Sequence, residues 1–392
     1  MSLAVWVTLA GFVLGATLAS FLGLVADRLP KGRSVVAPRS RCDACDTTLQ
    51  PLDLIPIVSF LAFGGRCRHC RAPLPARLLV VEVIFGVIVA SLAVWSFVHA
   101  DAATFAVLTL WASVLYAAAI IDLDTLELPD VLTLGGTAAT ATLAGALGIG
   151  PVVFGGPWLA SLTGMVWAAG SIVLVNRIGG LALRRFRDTN DRLRPIGFDE
   201  VNTAAFAGAF LGAVAGLAVA GLQALIKRVH PAHPRLPEPL LYATLPVAFL
   251  VAPIGVGLQA SVHGLLAGAG TAALVGGVYW WWRDRHTGPE HDQDNATPDA
   301  QDPAADEPVA MGFGDVKLAA LIGLIVGPSG WWVTLFAAVL AGSVVGLALR
   351  MMGGTRLVPF GPFLAFGAWL TVLAGEPLLR AYLGWLQIAP PA

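Results

Sequence analysis

Charge is scarce in this chain of 392 residues: 12% of positions are Asp, Glu, Lys or Arg, where a soluble protein carries about 25%. What charge there is cancels, 24 Lys+Arg against 25 Asp+Glu, so the basic surface on which nucleic-acid binding rests is lacking and that class is excluded. Four cysteines are too few for a disulfide scaffold. The patterns H-E-x-x-H and G-x-S-x-G are both absent, which removes the familiar zinc-protease and serine-hydrolase signatures. In their place stand 57% hydrophobic residues and 44 glycines, a combination suited to membrane helices. The expected fold class is all-α, a polytopic helix bundle in a lipid bilayer.

A span needs about 20 apolar residues. Val5 to Ala26 forms the first, with no Lys or Arg before Arg28; a secretory signal opens with a basic stretch, so this helix is expected to be retained. The following loop, 28–77, holds nine Lys/Arg and three acids, which makes it cytoplasmic by the positive-inside rule. Further spans are read at 78–98, 103–121, 131–149 and 157–176, and the loop 177–200 with its six arginines returns to the same side. A short span at 316–328, a full one at 331–349 and a last one at 358–376 follow, with Arg350 and Arg356 marking a cytoplasmic turn. In the middle, 201–226, 240–257 and 259–282 are all apolar enough to enter the bilayer. Lys227, Arg228 and Arg235 put 227–236 in the cytoplasm, so 201–226 is read as re-entrant, a form tolerated only under the cover of protein or a water-filled cavity. Residues 286–308 carry seven acids, four prolines and no Lys or Arg, the composition of a disordered tether. Trp280-Trp281-Trp282 before Arg283 reads as an interfacial belt.

Cys42-Asp-Ala-Cys45 and Cys67-Arg-His-Cys70 are two C-x2-C knuckles separated by 21 residues. Such a pair supplies the four thiolates of a tetrahedral zinc site, here a small zinc-ribbon-like domain in the cytoplasmic loop. A reducing compartment disfavours the disulfide alternative; redox or inert cysteines, and His69 in place of one thiolate, are the other readings.

Two acid motifs stand at the mouths of spans. Asp122-Leu-Asp124 follows the third span directly and leads to Pro129-Asp130, where proline stops a helix. Met311-Gly312-Phe313-Gly314-Asp315-Val316-Lys317-Leu318 opens an apolar helix with an acid at its N-terminus, where the helix dipole favours an anion and the glycines permit close backbone approach. Acids at the ends of spans are common, and each motif alone is weak. Together, on one membrane face, they point to a two-carboxylate site in which a shared proton lets one group act as base on water and the other as acid toward a carbonyl.

These residues resemble the type IV prepilin peptidases, intramembrane aspartic proteases of the Gly-x-Gly-Asp class. The resemblance runs through Ser20-Phe21-Leu22, Arg28-Leu29-Pro30, Pro38-Arg39-Ser40, the four cysteines, Asp53-Leu54-Ile55-Pro56, Gly65-Arg66-Cys67, Arg77 and Glu82. It continues through Asp122 to Asp130, Met311 to Leu318 and Pro359-Phe360-Gly361-Pro362-Phe363-Leu364. It implies roughly eight family spans in the bacterial inner membrane, with the active site at the cytoplasmic face. It also implies an endopeptidase that cuts the basic leader from type IV prepilin or type II secretion pseudopilin precursors after a glycine. Asp122 and Asp315 match the catalytic aspartates, with Asp124, Asp130, Gly312, Gly314 and Lys317 in support. Many members then methylate the new N-terminal amine with S-adenosylmethionine, and the cysteine loop is similar to the domain linked to methylation and zinc.

The organisation so implied is a first span (1–27), the four-cysteine loop (28–77), a transmembrane region with the first acid motif (78–195), inserted apolar segments (196–285), the acidic linker (286–308), and the second acid motif with the last spans (309–392). Gly23 stands where the family usually has asparagine, and Leu78-Leu79 where Tyr-Pro is frequent; these departures touch the methyltransferase half. The insert is the larger departure. Its Ile196–Gly212 aligns without gaps to Met311–Gly327, sharing Gly, Phe, Val, Ala-Ala, Gly and Gly, with Glu200 opposite Asp315. It is read as a degenerate copy of the catalytic segment, against chance similarity between two Gly/Ala-rich stretches. Two rival functions are a peptidase without methylation and a transporter using its intramembrane acids as an ion pathway.

Overall fold

A computed structural model describes residues 2–37, 39–183, 198–229, 238–287, 312–352 and 358–385. Most of the acidic linker, the arginines of 184–197, the stretch 230–237, Met311 and Arg356 lie outside the described residues. The described residues are helical, with no strand; two isolated bridges occur in the cysteine loop. Among the described residues, seven helices are long and apolar enough to cross a membrane. This is an all-α, multi-pass membrane protein. The chain divides into two compact units, one of residues 1–158 with 329–392 and one of 159–328, which are described in turn.

The first unit begins with α1 (Leu3–Arg28), 26 residues and so about 39 Å long. Its Gly11 and Gly15 lie four apart, on one face of the helix. A Cβ on Gly15 would stand 2.7 Å from Phe85 O, and one on Gly11 2.9 Å from the Ala90 Cα, both on α3 (Arg77–His99). On the other side of the same contact the Phe12 ring lies over Gly86. Small residues here let two backbones approach, the device that drives helix pairing where lipid supplies no hydrophobic contrast. Between them the short helix α2 (Val58–Ala62) sits in the cysteine loop.

Helix α4 (Ala102–Thr125) is the buried centre of this unit, with Val107, Leu108, Trp111, Leu115, Ala118 and Ile121 all enclosed. It touches α1, α3, α5 (Asp130–Ala146) and α12 (Gly361–Trp385). Asp101 caps its N-terminus, accepting from Thr104 N–H at 2.7 Å. The other end stops at Leu126 in the left-handed conformation, φ 57°, whose N–H donates to Asp122 O, an αL stop. Helix α5 has 17 residues, shorter than the span expected at 131–149.

The two spans expected at 316–328 and 331–349 are the two helical arms of α11 (Phe313–Met351), parted at Gly327, whose φ of 72° is not helical, before Pro328. Its second arm belongs to the first unit. There Thr334 Oγ1 donates to Thr371 Oγ1 of α12 at 2.9 Å, both side chains buried, and a Cβ on Gly367 would meet Thr334 O at 2.5 Å. Trp369 Nε1 donates to Ser91 Oγ at 3.0 Å, joining α12 to α3. Helix α12 starts at Gly361, three residues later than expected, and runs to Trp385.

The second unit holds α6 (Trp158–Leu183) from Leu159 on, α7 (Phe198–Leu211), α8 (Ala213–Val229), α9 (Glu238–Val256), α10 (Leu258–Thr287) and the first arm of α11, 313–326. The apolar run read as re-entrant is two helices, α7 and α8, broken at Gly212 with φ 87°. They fold back tightly: a Cβ on Gly216 would lie 2.6 Å from Gly208 N, and Thr203 Oγ1 bonds Gln223 Oε1 at 2.5 Å. The tryptophan cluster ends α10, with Arg283 over the Trp280 ring at 5.0 Å and Arg285 over Trp281 at 4.4 Å.

Candidate active site and metal centre

In the first unit Asp122 lies in the last turn of α4, 6% exposed. Its Oδ2 accepts from Gly361 N–H at 2.8 Å. Gly361 opens α12, so the first free N–H of that helix, a group every helix leaves unpaired, is satisfied by the carboxylate. The fit allows no side chain, since a Cβ on Gly361 would stand 2.6 Å from Oδ2. A helix N-terminus is a ready anion site, and here the occupant is the protein's own acid, 239 residues away in sequence. In the sequence Gly361 is one member of a resembling motif, with no role of its own. The signal was present in Pro359 and Pro362, which flag a helix start.

The neighbouring acids differ from Asp122. Asp124 Oδ2 accepts from Arg77 Nη2 at 2.6 Å, with both side chains about half exposed. This ties the end of α4 to the start of α3. Asp130 is the first residue of α5, after Pro129. Tyr116, six residues before Asp122 on α4, donates to Val81 O at 2.7 Å and packs on the cluster of Ala26, Ile120 and Ile121. Glu82 Oε2 accepts from Ile57 N–H, so α3 also anchors the cysteine loop.

In the second unit Asp315 is 9% exposed in the first turn of α11. Its N–H donates to Gly312 O and its Oδ2 accepts from Gly312 N–H, each at 3.2 Å. This reciprocal pair closes the helix start in the manner of a capping box. Gly314 lies between them in the same turn. Lys317 is 6% exposed, with Nζ 4.8 Å from the Phe313 ring centre, a cation–π contact. Gly277 of α10 makes room for this pair: its Cβ would stand 3.0 Å from the Phe313 ring and 3.4 Å from Lys317 Cε. Glu200, in the first turn of α7, is 2% exposed.

The four cysteines come together. All four Sγ atoms lie within 4.8 Å of one another, and Cys42 Sγ is 3.9 Å from Cys70 Sγ. A tetrahedral zinc with bonds near 2.3 Å needs sulfurs about 3.8 Å apart, so the set fits. Both knuckles have the same build. Cys42 N–H donates to Thr47 O and Asp46 N–H to Cys42 O; Cys67 N–H donates to Ala72 O and Arg71 N–H to Cys67 O. Asp46 and Arg71 are left-handed, φ 52° and 61°. Hydrogen bonding with the side chain and the backbone of Thr47 brings the Cys45 thiol down to about 6, and bonds at the Cys70 and His69 backbone lower Cys67. Cys70 is pushed up to about 11, where burial and the three neighbouring thiols outweigh a bond at Ala72 that acts the other way. His69 is outside the set, with Nε2 3.6 Å from Asp53 Oδ2.

Known proteins share both the loop and the second acid motif. Residues 13–97 match the bacterial Peptidase A24 N-terminal domain, and 232–347 match the type IV leader peptidase family. The chain belongs to the type IV prepilin leader peptidase family. The second match contains Asp315 and leaves Asp122 outside it. A prepilin leader peptidase/N-methyltransferase of Aeromonas hydrophila is 24% identical over 354 residues, 89% of this chain and 76% of the relative. One of Myxococcus xanthus (strain DK1622) is 37% identical over 141 residues, 35% of this chain and 40% of the relative. A type 4 prepilin-like proteins leader peptide-processing enzyme of Escherichia coli O78:H11 is 40% identical over 104 residues, 26% of this chain and 37% of the relative. The more similar stretches thus span less than half of those relatives. No solved structure matches the chain.

Proposed function

We propose that this protein is a prepilin leader peptidase, an intramembrane aspartic endopeptidase whose working pair is Asp122 and Asp315. The observation that carries the reading is that each motif contains one buried carboxylate held by backbone N–H at a helix start: Gly361 on Asp122, Gly312 on Asp315. One carboxylate takes a proton from water, and the resulting hydroxide oxygen attacks the scissile carbonyl carbon. The other, protonated, gives its proton to the carbonyl oxygen. Collapse of the tetrahedral adduct breaks the C–N bond, with the proton passing to the leaving amine. A backbone N–H bond orients each acid. Asp124, through Arg77, and Asp130 hold the end of α4 and the start of α5; Gly312, Gly314 and Lys317 shape the start of α11.

The substrate class is a type IV prepilin or pseudopilin precursor, whose leader meets the enzyme at the cytoplasmic face of the inner membrane. The side follows from the basic residues of 28–77. Zinc in the four-cysteine loop is structural in this reading: four thiolates leave no open position for water. The loop also anchors to α3 through Ile57 and Glu82. N-methylation of the mature amine is the second activity, supported by the relatives' names. S-adenosylmethionine needs groups for a sulfonium and an adenine. A groove of about 540 Å³ lined by Phe12, Val87, Val94, Trp95, Val98 and Leu373, among others, is apolar and does not fit it. Co-expression with a pilin-like precursor tests the peptidase: wild type yields mature product, while Asp122→Asn and Asp315→Asn yield none. Mature product at the wild-type level from either variant removes the two-acid mechanism. Mass spectrometry of the mature N-terminus decides methylation.

A further inference from the structure

The likeness between 196–212 and 311–327 extends to the helices that pack against them. Residues 159–176 of α6 align without gaps to 259–276 of α10, with seven of eighteen identical: Ala160, Ser161, Gly164, Ala169, Gly170, Leu174 and Val175 recur as Ala260, Ser261, Gly264, Ala269, Gly270, Leu274 and Val275. The contacts recur in the same register. Gly164 of α6 lies against Gly323 O and, by its Cβ direction, 2.7 Å from Gly327 Cα, on the first arm of α11. Gly264 of α10 lies against Gly208 O and 3.3 Å from Gly212 Cα, at the end of α7. Every member of the first contact is the aligned counterpart of one in the second. Gly212 and Gly327, the counterparts that end the two short helices, both have positive φ, 87° and 72°. The motif carboxylates correspond as well, Glu200 at 2% and Asp315 at 9% exposure, followed two residues on by buried Asn202 and Lys317.

The two pairs meet through a reciprocal contact. A Cβ on Gly170 would run into Leu266 O, and one on Gly270 into Val166 O. Residues 166 and 170 are the counterparts of 266 and 270, so residue i touches j′ and j touches i′, the mark of an isologous interface. It is formed here inside one chain.

We infer that α7 and α10 are a second, self-closed copy of the α6–α11 pair, that this copy carries no hydrolysis of its own, and that it positions α6, and through it the Asp315 helix, across the Gly170–Gly270 contact. The inference rests on the peptidase reading for its effect on turnover, and on packing alone for the duplication. Glu200 is a poor substitute for Asp315. Its carboxyl is one methylene longer, Asp199 replaces Gly314 beside it, and Asn202 replaces Lys317. The chain has two such motif helices but one Asp-Leu-Asp segment, at 122–124. Gly170 and Gly270 are positioning residues; a small displacement of a catalytic group costs about a hundredfold at most in cases of this kind.

The test uses the full chain in detergent or nanodiscs. Melting is followed for Gly170→Ala, Gly270→Ala, Gly164→Ala, Gly264→Ala and the control Gly221→Ala, whose Cβ meets nothing within 4 Å. The counterparts should fall together, each by about 5 °C or more, with the control unchanged. A sensitive Gly164 beside a tolerant Gly264, or a tolerant Gly270, overturns the duplicate packing whatever the enzyme cleaves. Turnover of a pilin-like precursor, per folded enzyme, is the second arm. Gly270→Ala should lower kcat about tenfold with KM within twofold; because turnover is counted per folded enzyme, loss of folded protein does not mimic this drop. Where this variant does not accumulate, Leu266→Val loosens the buried packing beside the same contact, whose facing atom is the Leu266 carbonyl oxygen, without adding an atom, and unchanged kcat overturns the positioning role. Glu200→Gln should stay within about twofold of wild type, whereas Asp315→Asn loses at least about a hundredfold; equal losses make Glu200 catalytic and the copy active. A wild type that cleaves no precursor removes the peptidase reading and leaves the melting arm to judge the duplication.

Discussion

Gly361 N–H, the opening donor of α12, bonds the Asp122 carboxylate of α4 at 2.8 Å in a space too small for any other residue. The relationship makes a specific demand. Gly361→Ala adds a Cβ 2.6 Å from Oδ2, so either the carboxylate or the helix start must move. The substitution should lower cleavage of a precursor by about tenfold or more while the protein still inserts. Cleavage at the wild-type rate would show that the position of Asp122 does not depend on this helix start.

Asp124 belongs to the same motif but predicts a milder result. Its bond to Arg77 joins two half-exposed side chains, and such pairs contribute about 0–1 kcal/mol. Arg77→Gln and Asp124→Asn should each leave folding within that range and cleavage within about threefold, the double variant costing no more than the larger single one. A loss of a hundredfold or more in Asp124→Asn alone would move this residue from support into the chemistry.

The contrast between these two acids also shows what was legible beforehand. The spans and the four-cysteine loop could be read from sequence because their signals are local: runs of about 20 apolar residues, basic loops and two short cysteine spacings. The break at Gly327-Pro328 fell at the boundary expected between two spans. Helix α5 is short at its far end, where Gly148 turns left-handed at φ 67° and stops it. What distinguishes Asp122 from Asp124 is a bond to a residue 239 positions later, and no periodicity reports that. Likewise the correspondence of 196–212 with 311–327 was visible as identities, whereas the matching glycine contacts of α6 and α10 needed the packing.

The four-thiolate loop predicts a metal and a pH window. One zinc per chain should be found under reducing conditions, lost with a strong chelator and in Cys42→Ser. Zinc holds thiolates, so binding releases protons and weakens as pH falls. The Cys45 thiol, brought down to about 6, is already ionised at pH 7, while Cys70, pushed up to about 11, must give its proton to the metal. Zinc occupancy should therefore fall as pH drops from 7 toward 5. Precursor cleavage by Cys42→Ser should persist, because neither acid motif touches this loop in the proposed mechanism. Occupancy below one zinc per chain at pH 7.5 would remove the zinc assignment.

Asp101 carries a second pH dependence, of opposite location and simpler origin. Bonds from Thr104 N–H and its hydroxyl, with a lesser one from Ala103, hold this carboxyl below the usual aspartate range. A group whose value is lower in the folded state contributes stability above its unfolded value, about 3.9, and loses it as pH falls through the folded value. The melting temperature should thus decline below about pH 4, and Asp101→Asn should flatten that decline. An unchanged pH profile in the variant would mean that the cap makes no difference to α4.

The α1–α3 contact gives the sharpest structural prediction, because it is set by backbone and not by side-chain choice. A Cβ on Gly15 would meet Phe85 O at 2.7 Å, Val89 Cβ at 2.8 Å and Gly86 Cα at 2.9 Å. None of these is the end of a flexible chain, so the helices must separate. Overpacking of this kind costs about 1–3 kcal/mol. Gly23 lies in the same helix with nothing within 4 Å of an added Cβ, and alanine there, better suited to a helix than glycine, should be neutral or slightly stabilising. Gly15→Ala should therefore lower the melting temperature by several degrees while Gly23→Ala does not. The reverse order would mean that α1 does not pack on α3 through its glycine face.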